Sequence, residues 1–319
     1  MQMKKVLLIA ILAAAFVGCE ENNTPESSFI PTGVYFSYGS EDTRTAVSVE
    51  NGGSYFTWNS GDKLGISCTQ GEIANKALTV PAAYDGKRKM QVQTGIEFNG
   101  KYADHTFNLY YPYNSSNTTP SFVRSTLPAT QNGKVGNSDF MWDQITTTVD
   151  NPVVSSKMKH PFAYVRFWVV ATGKSNDAAI AGKKVNAISI TADKGPLAGE
   201  FTADFNNFNN NKVTFAGSTS NTVTLNAPMT IMTKEEYAAK TVDGTTPVMI
   251  INPEGVSAKF DVTVFIDGST PITTSFDMSG KAFKANNFYN IGLGGSFESG
   301  KFTLTVIDWE RVTADVTFN

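Results

Sequence analysis

Apolar and polar residues alternate along several short stretches of this chain, most clearly at residues 163–169 and 260–266. Because successive side chains of a strand point to opposite faces, each stretch predicts a strand with one apolar face. The run from Pro247 to Pro253 is almost continuously apolar, which favours a strand covered on both sides. The alternating apolar residues are Ala163, Val165, Phe167 and Val169 in the first stretch and Phe260, Val262, Val264 and Ile266 in the second.

Turn-forming sequences such as Asp243-Gly244 and Asp267-Gly268 separate these stretches, and helical periodicity is almost absent. A capping box from Thr233 to Glu236 predicts one short loop helix. Aromatic residues make up 12% of the chain and charged residues only 17%, which also fits β-structure. The predicted fold class is therefore all-β, with two antiparallel β-sandwich domains and short loop helices.

The length of the chain favours two domains over one. The apolar stretch that ends near residue 171 gives way to Lys, Ser, Asn, Asp and Gly between Gly173 and Gly182. We therefore place an N-terminal sandwich at residues 32–178 and a C-terminal sandwich at residues 179–319.

The first residues predict export and lipidation. Lys4 and Lys5 precede an apolar run that is about half of the roughly 20 residues a spanning helix needs, so residues 1–18 are interpreted as a signal peptide. The residues before Cys19 resemble a bacterial lipobox, in which the cysteine is acylated. Several acyl chains on Cys19 would anchor the protein to a membrane. Residues 19–31 are expected to be a tether, whose acidic, Asn-rich start resembles the signal for the outer face of the outer membrane.

Charge argues against a nucleic-acid-binding protein, and cysteine content argues against an internal disulfide. The formal net charge is −3 and becomes more negative when Lys4 and Lys5 are removed with the signal. No basic patch is visible, which argues against nucleic acid as a partner. After lipidation only Cys68 remains, so an internal disulfide is not expected, and its alternation with Leu64 and Ile66 predicts a small buried strand residue.

The chain offers little catalytic chemistry. His105 and His160 are its two histidines, and neither has metal-ligand spacing. Residues 292–295 contain three glycines, but no helix is predicted after them, so a strand turn or bulge is favoured over a nucleotide loop. The Asp and Glu residues are dispersed along the sequence, which gives no sign of the paired carboxyl groups that glycoside hydrolysis needs. We expect no enzyme activity, no cofactor and no metal, and keep a glycoside hydrolase as a third, less favoured hypothesis.

Aromatic residues leave another function open. Tyr110, Tyr111 and Tyr113 are close enough in sequence to form a platform that stacks on sugar rings, although such residues more often fill a sandwich core. This platform is the basis of the alternative hypothesis, a monomeric glycan-binding surface lipoprotein.

A series of short motifs, in order along nearly the whole mature chain, resembles the fimbrillin-like proteins. The motifs are Thr43-Arg44-Thr45, Trp58-Asn59-Ser60-Gly61-Asp62-Lys63-Leu64-Gly65-Ile66, Tyr111-Pro112-Tyr113, Gln131 with Asp139-Phe140-Met141, His160-Pro161-Phe162-Ala163-Tyr164, Leu197-Ala198-Gly199, Phe283 to Ile291 and Val306-Ile307-Asp308-Trp309. The resemblance implies transthyretin-like, Greek-key sandwiches and a type V pilin exported as a lipoprotein. It also implies that an Arg- or Lys-directed protease removes an N-terminal segment, and that the opened groove accepts a strand from another subunit.

Under this resemblance Arg44 is the expected processing site, whereas Lys63 and Arg88 lie inside the expected first domain. An ordinary loop or strand role for Arg44 stays open. The expected donor strand carries the alternating residues Val312, Ala314, Val316 and Phe318. Val34, Phe36 and Tyr38 also alternate and predict a strand upstream of Arg44 that cleavage could release. Both this strand and the donor strand could instead complete their own sheets. The expected partners are other fimbrial subunits through strand addition, the outer membrane through the lipid, and a host or bacterial surface ligand.

Overall fold

The computed structural model describes residues 29–38, 46–50, 53–87, 89–172, 180–239, 246–298 and 301–312. Strands dominate these residues and helices are short, so the all-β prediction is confirmed. The strands are β1 Phe29–Tyr38, β2 Ala46–Glu50, β3 Gly53–Thr57, β4 Lys63–Cys68, β5 Ile73–Thr79, β6 Met90–Asn99, β7 Asp104–Tyr111, β8 Phe122–Leu127, β9 Thr130–Gln131, β10 Met141–Thr148, β11 Val153–Ser156, β12 Ala163–Ala171, β13 Lys184–Ala192, β14 Ala198–Asp204, β15 Thr214–Ser220, β16 Thr222–Leu225, β17 Met229–Thr230, β18 Val248–Ile251, β19 Lys259–Ile266, β20 Ile272–Asp277, β21 Phe288–Glu298 and β22 Lys301–Val312. The helical segments are α1 Lys234–Ala238 and 3-10 turns at Ala82–Tyr84, Val135–Asn137, Phe205–Asn210 and Pro253–Gly255.

The first sandwich consists of two sheets. One has the strand order β11-β1-β6, and the other has the order β10-β7-β4-β5. Alternate side chains of both sheets form one buried hydrophobic cluster, which Trp58 and Phe98 help to fill. Cys68 is a buried, free thiol in this cluster, as its alternation predicted.

The second sandwich pairs a sheet of order β18-β12-β21-β22 with a sheet of order β20-β19-β13-β16-β9, in which β17 also pairs with β13. A smaller sheet of order β15-β14-β8 packs its inner face on the same core through residues such as Phe201 and Val123. Strands β2 and β3 form a separate hairpin. Most pairings are antiparallel, but β1 with β11, β12 with β21 and β16 with β9 are parallel.

The two hydrophobic clusters overlap along the sequence. The first ends at Met158, whereas the second already takes in Tyr110 and Trp142, together with Phe162 and part of β12. Strands β8 and β9 also pair with strands of the second half. Strand β1 begins at Phe29, within the residues expected to be tether. Local periodicity carries no information about such distant pairings, and the domain boundary drawn between residues 178 and 179 stays a prediction.

The local predictions agree with the structure. The capping box of α1 is present, because the Thr233 hydroxyl accepts from the Glu236 N–H at 3.1 Å and the Glu236 carboxylate accepts from the Thr233 N–H at 2.8 Å. Strand β19 alternates between buried and less buried residues, and β18 is buried throughout. Strand β12 is buried on both faces, which its alternation did not predict.

One buried carboxylate ties the two sheets of the first sandwich together. Asp143 of β10 accepts hydrogen bonds from the Ser156 hydroxyl at 2.9 Å and from the Lys157 N–H at 2.8 Å, at the end of β11 in the opposite sheet. Burial raises the pKa of the Asp143 carboxyl, and these hydrogen bonds only partly oppose the rise.

We expect this carboxyl to impose a pH dependence on stability. Because its pKa is higher in the folded than in the unfolded chain, the folded state binds more protons between the two values, and this contribution to stability falls as pH rises. Asp143→Asn removes the titration. The free energy of unfolding of the variant, relative to wild type, should therefore increase from about pH 4 to about pH 7 in denaturant titrations.

Asp277→Asn is the matched control. Hydrogen bonds from Ser279 lower the pKa of the Asp277 carboxyl, so its contribution to stability is present at neutral pH and is lost as pH falls. The difference between this variant and wild type should have the opposite slope. If the free energy of unfolding had the same pH slope in wild type and Asp143→Asn, the raised pKa of the Asp143 carboxyl would be contradicted.

Candidate assembly site

Strand β1 is the middle strand of its sheet. It runs antiparallel to β6, from Phe29 opposite Asn99 to Tyr38 opposite Met90, with two register shifts before Tyr35. On its other side it runs parallel to β11, where Tyr35 lies opposite Val153. Both edges of β1 are therefore occupied by backbone hydrogen bonding.

Among the described residues, β6 and β11 belong to one sheet only because β1 lies between them. Neighbouring strands are about 4.8 Å apart, so removal of β1 would leave a slot of roughly 10 Å between two strands with unpaired N–H and C=O groups. The floor of this slot is the core shared with the sheet β10-β7-β4-β5. Such a slot has the dimensions and hydrogen-bonding groups to accept one strand.

Phe36 is the residue of β1 whose side chain is described, and it is completely buried. It belongs to the same hydrophobic cluster as Val154 of β11 and Leu109 of β7. Loss of β1 would therefore uncover an aromatic-sized site in the floor of the slot, in addition to the backbone groups of its walls.

The β11 wall is held by contacts that do not involve β1. Asp143 fixes Ser156 and Lys157 as described above. Just beyond them, Lys159 and Trp142 exchange two backbone hydrogen bonds of 2.8 and 3.1 Å. These contacts would keep β11 in place in the absence of β1.

The β6 wall is anchored in the same way. The Asn99 N–H donates to Nε2 of buried His105 at 2.9 Å, and burial lowers the pKa of that imidazole, so it stays neutral and able to accept. Nζ of Lys76 donates to the Gly95 carbonyl at 2.6 Å, and the Tyr84 hydroxyl donates to the Gln91 carbonyl at 2.9 Å. Both walls thus have their own supports.

The processing and donor residues predicted from sequence fall mostly elsewhere. Cys19, Arg44, Ala314, Val316 and Phe318 lie outside the described residues. Their predicted roles stay predictions.

Val312 is the one predicted donor residue that lies among the described residues. It is the last residue of β22 and lies opposite Phe288 of β21. Strand β22 is an edge strand of its sheet in the described part of the chain. Strand β1 ends at Tyr38, before the segment that holds Arg44.

The sequence analysis did not identify the slot walls. Strand β6 has a detectable signal, because Met90, Ile96 and Phe98 are buried at alternate positions. Strand β11 has only four residues and offers no comparable pattern. That β1 joins them follows from pairing over long sequence separations, for which a single sequence contains no local signal.

The histidines and the cysteine have structural environments. His160 is buried, and its Nδ1 lies 2.9 Å from Oδ1 of Asp139, which also accepts from the Tyr164 hydroxyl at 2.7 Å. Burial raises the pKa of the Cys68 thiol, which disfavours the reactive thiolate. Within the residues that the structure describes, no group of three His, Cys, Asp or Glu side chains is arranged to bind a metal ion.

The expected sugar platform is absent from the described surface. Tyr110 and Tyr111 are buried in the cores, and Tyr113 is half-buried. Tyr102 and Phe122 are the large apolar side chains that are exposed in the described part of the chain. The glycine-rich residues 292–295 lie inside β21, with a register shift between Gly292 and Leu293, so of the two predicted alternatives, turn or bulge, the structure agrees with a bulge.

No helix in the described ranges is both long enough and apolar enough to cross a bilayer.

Solved structures that match this chain come from Bacteroides and Parabacteroides species. A protein from Bacteroides uniformis ATCC 8492, assigned provisionally to cell adhesion, has a TM-score of 0.58 at 17% identity, covering 88% of this chain and 100% of its own. A fimbrial assembly protein from Parabacteroides distasonis ATCC 8503 has a TM-score of 0.42 at 11% identity, covering 88% of this chain and 98% of its own. The first of these similarities shows the fold alone.

No curated protein matches the chain. The family described as fimbrillin-like matches residues 43–309, which extend from β2 into β22. This match spans most of the sequence and bears out the resemblance found in its motifs. The chain therefore belongs to the fimbrillin-like family.

Proposed function

We propose that this protein is the precursor of a fimbrial subunit, in which cleavage after Arg44 releases β1 and a strand from another subunit takes its place. Membership of the fimbrillin-like family supports the fimbrial role and a structural, non-enzymatic protein. The observation that carries the strand exchange is the central position of β1 between β6 and β11. Loss of an edge strand would leave a sheet intact, whereas loss of this central strand after cleavage would divide the sheet.

The slot favours an incoming strand that copies the direction of β1. Such a strand would pair antiparallel to β6 and parallel to β11 and would restore both sets of hydrogen bonds. The anchored walls reduce the ordering that the strand must bring about, since they keep their spacing while the slot is empty. The proposed donor is the segment with Val312, Ala314, Val316 and Phe318.

The energies are sufficient for a lasting contact. Each ladder hydrogen bond contributes about 0.5–1.5 kcal/mol net, and each buried Val or Phe about 1.5–3 kcal/mol. Several of each sum to on the order of 10 kcal/mol before the entropy of association is subtracted. Because β1 makes the same kinds of contact within its own chain, it also prevents premature assembly.

The proposed location is the cell surface. The family implies a surface fimbrium, and we add export as a lipoprotein acylated at Cys19 and held at the outer membrane until processing. Cleavage after Arg44 would separate the subunit from this anchor. Lipidation and assembly are thus successive stages of one route.

The glycan-binding monomer with a tyrosine platform has no support from the described surface, because Tyr110 and Tyr111 are buried.

Processing at Arg44 is directly testable. We expect an Arg-specific protease to convert the purified full chain to a form that begins at Thr45, and this form to give a detergent-resistant ladder on gels. Arg44→Ala should prevent both changes. Mass spectrometry reads the new N-terminus, and electrophoresis reads the ladder.

Arg88→Ala is the control for protease specificity and should be processed and assembled normally. Removal of residues 312–319 should leave cleavage intact but abolish the ladder. A ladder of equal strength from Arg44→Ala, or a ladder without residues 312–319, would refute the proposed exchange.

The uncovered site of Phe36 gives a second prediction. Among the four donor residues, Phe318 alone has an aromatic side chain of matching size, so we expect it to occupy that site. A synthetic peptide of residues 311–319 should bind the processed subunit, and Phe318→Ala in the peptide should weaken binding at least about 100-fold, because truncating a buried Phe costs about 3–5 kcal/mol.

Thr317→Ala is the matched control, since its side chain would point to the opposite face of the donor strand. It should change the dissociation constant less than about threefold. If the two substitutions weaken binding equally, Phe318 does not fill the site of Phe36.

A further inference from the structure

A cleft of about 430 Å³ lies on the outer side of the sheet β15-β14-β8, in a part of the chain that the proposed strand exchange does not use. Its volume is in the range of small-ligand sites. The lining residues are Asn114, Arg124, Ser125, Thr126, Glu200, Phe201, Thr202, Ala216 and Gly217.

Two glycines shape one side of the cleft. Gly199 of β14 and Gly217 of β15 have φ values of +128° and +84°, and the pairing of the two strands is irregular between them. A Cβ on Gly199 would lie 2.4 Å from the Ser218 carbonyl oxygen, and a Cβ on Gly217 would lie 2.4 Å from Oε2 of Glu200. The bulge therefore requires glycine, and it brings the Glu200 side chain against the backbone of β15.

A buried amide fixes the other side. Asn117 is 7% exposed, its Oδ1 accepts from the Arg124 N–H at 2.9 Å, and its Nδ2 donates to the Arg124 carbonyl at 3.3 Å. The Asn114 carbonyl accepts from the Tyr110 hydroxyl at 3.0 Å and from Nδ2 of Asn75 at 2.9 Å. Asn114 and Arg124 are thus held at the rim by contacts from below the surface.

The exposed groups of the cleft have complementary chemistry. Thr126 lies opposite Glu200, and Arg124 lies opposite Thr202, in adjacent rows of the β8–β14 pair. Neither the Arg124 guanidinium nor the Glu200 carboxylate forms a salt bridge with the described residues. Residues that carry a guanidinium, a carboxylate, an amide and hydroxyls therefore line one space.

Phe122 adds an apolar surface beside these groups. It lies two positions before Arg124 on the same face of β8, opposite Asp204, and is 39% exposed. An exposed ring next to hydrogen-bonding groups suits a ligand that has both an apolar face and hydroxyls.

We propose that this cleft binds a saccharide that carries a carboxylate, with Arg124 pairing with the carboxylate and Glu200, Asn114 and Thr126 bonding to hydroxyls. The site is present before processing, so it does not depend on the proposed strand exchange.

The test is a titration of the full chain with N-acetylneuraminic acid and with glucuronic acid, and with glucose as the neutral sugar. Calorimetry or ligand-observed magnetic resonance measures the binding. We expect saturable binding of at least one acidic sugar, weakened by salt and at least about tenfold tighter than that of glucose. Arg124→Gln should weaken it by about tenfold or more, and Glu200→Gln should weaken acidic and neutral sugars alike.

Lys101→Gln, which removes an exposed cation between β6 and β7, is the matched control and should bind as wild type does. Because Arg124 is exposed, the thermal unfolding of Arg124→Gln should match that of wild type, which separates lost binding from lost folding. No saturable binding of either acidic sugar, equal binding of glucose, or unchanged binding by Arg124→Gln would overturn the proposal.

Discussion

Backbone hydrogen bonding by β1 joins β6 and β11 into one sheet of the first sandwich. Within the described residues of this sheet, β6 and β11 each pair with β1, and Phe36 of β1 fills part of the core below. Unpaired strand edges are costly when buried and prone to aggregate when exposed. The sheet is therefore closed by a strand of the chain itself, and under the proposed exchange the same contacts define what a replacement strand must supply.

The second sandwich is connected to the first through β8 and β9. These strands follow β7 of the first sandwich in the chain and pair with β14 and β16 of the second half. Gln131 of β9 reinforces this link, because its side-chain amide exchanges two hydrogen bonds of 2.7 Å with the backbone of Ile250. Such connections suit a subunit whose first sandwich exchanges a strand while the rest of the molecule stays unchanged.

Features that depend on local sequence could be predicted. Alternation in β19, the buried run of β18, the capping box of α1 and the buried Cys68 all follow from the residue types at neighbouring positions. The family could also be identified, because its motifs are short local patterns in a fixed order. The pairing of β1 between β6 and β11 could not, since it joins segments distant in sequence, and neither could the burial of β12 on both faces or its place in the second core.

The amide hydrogen exchange of β6 and β11 tests the central claim most directly. Exchange should be slow in the precursor, fast at the residues facing the slot when β1 has been cleaved and removed, and slow again after a donor peptide or a second subunit is added. The account would be contradicted if removal of β1 left exchange in both strands unchanged, or if the donor failed to restore protection.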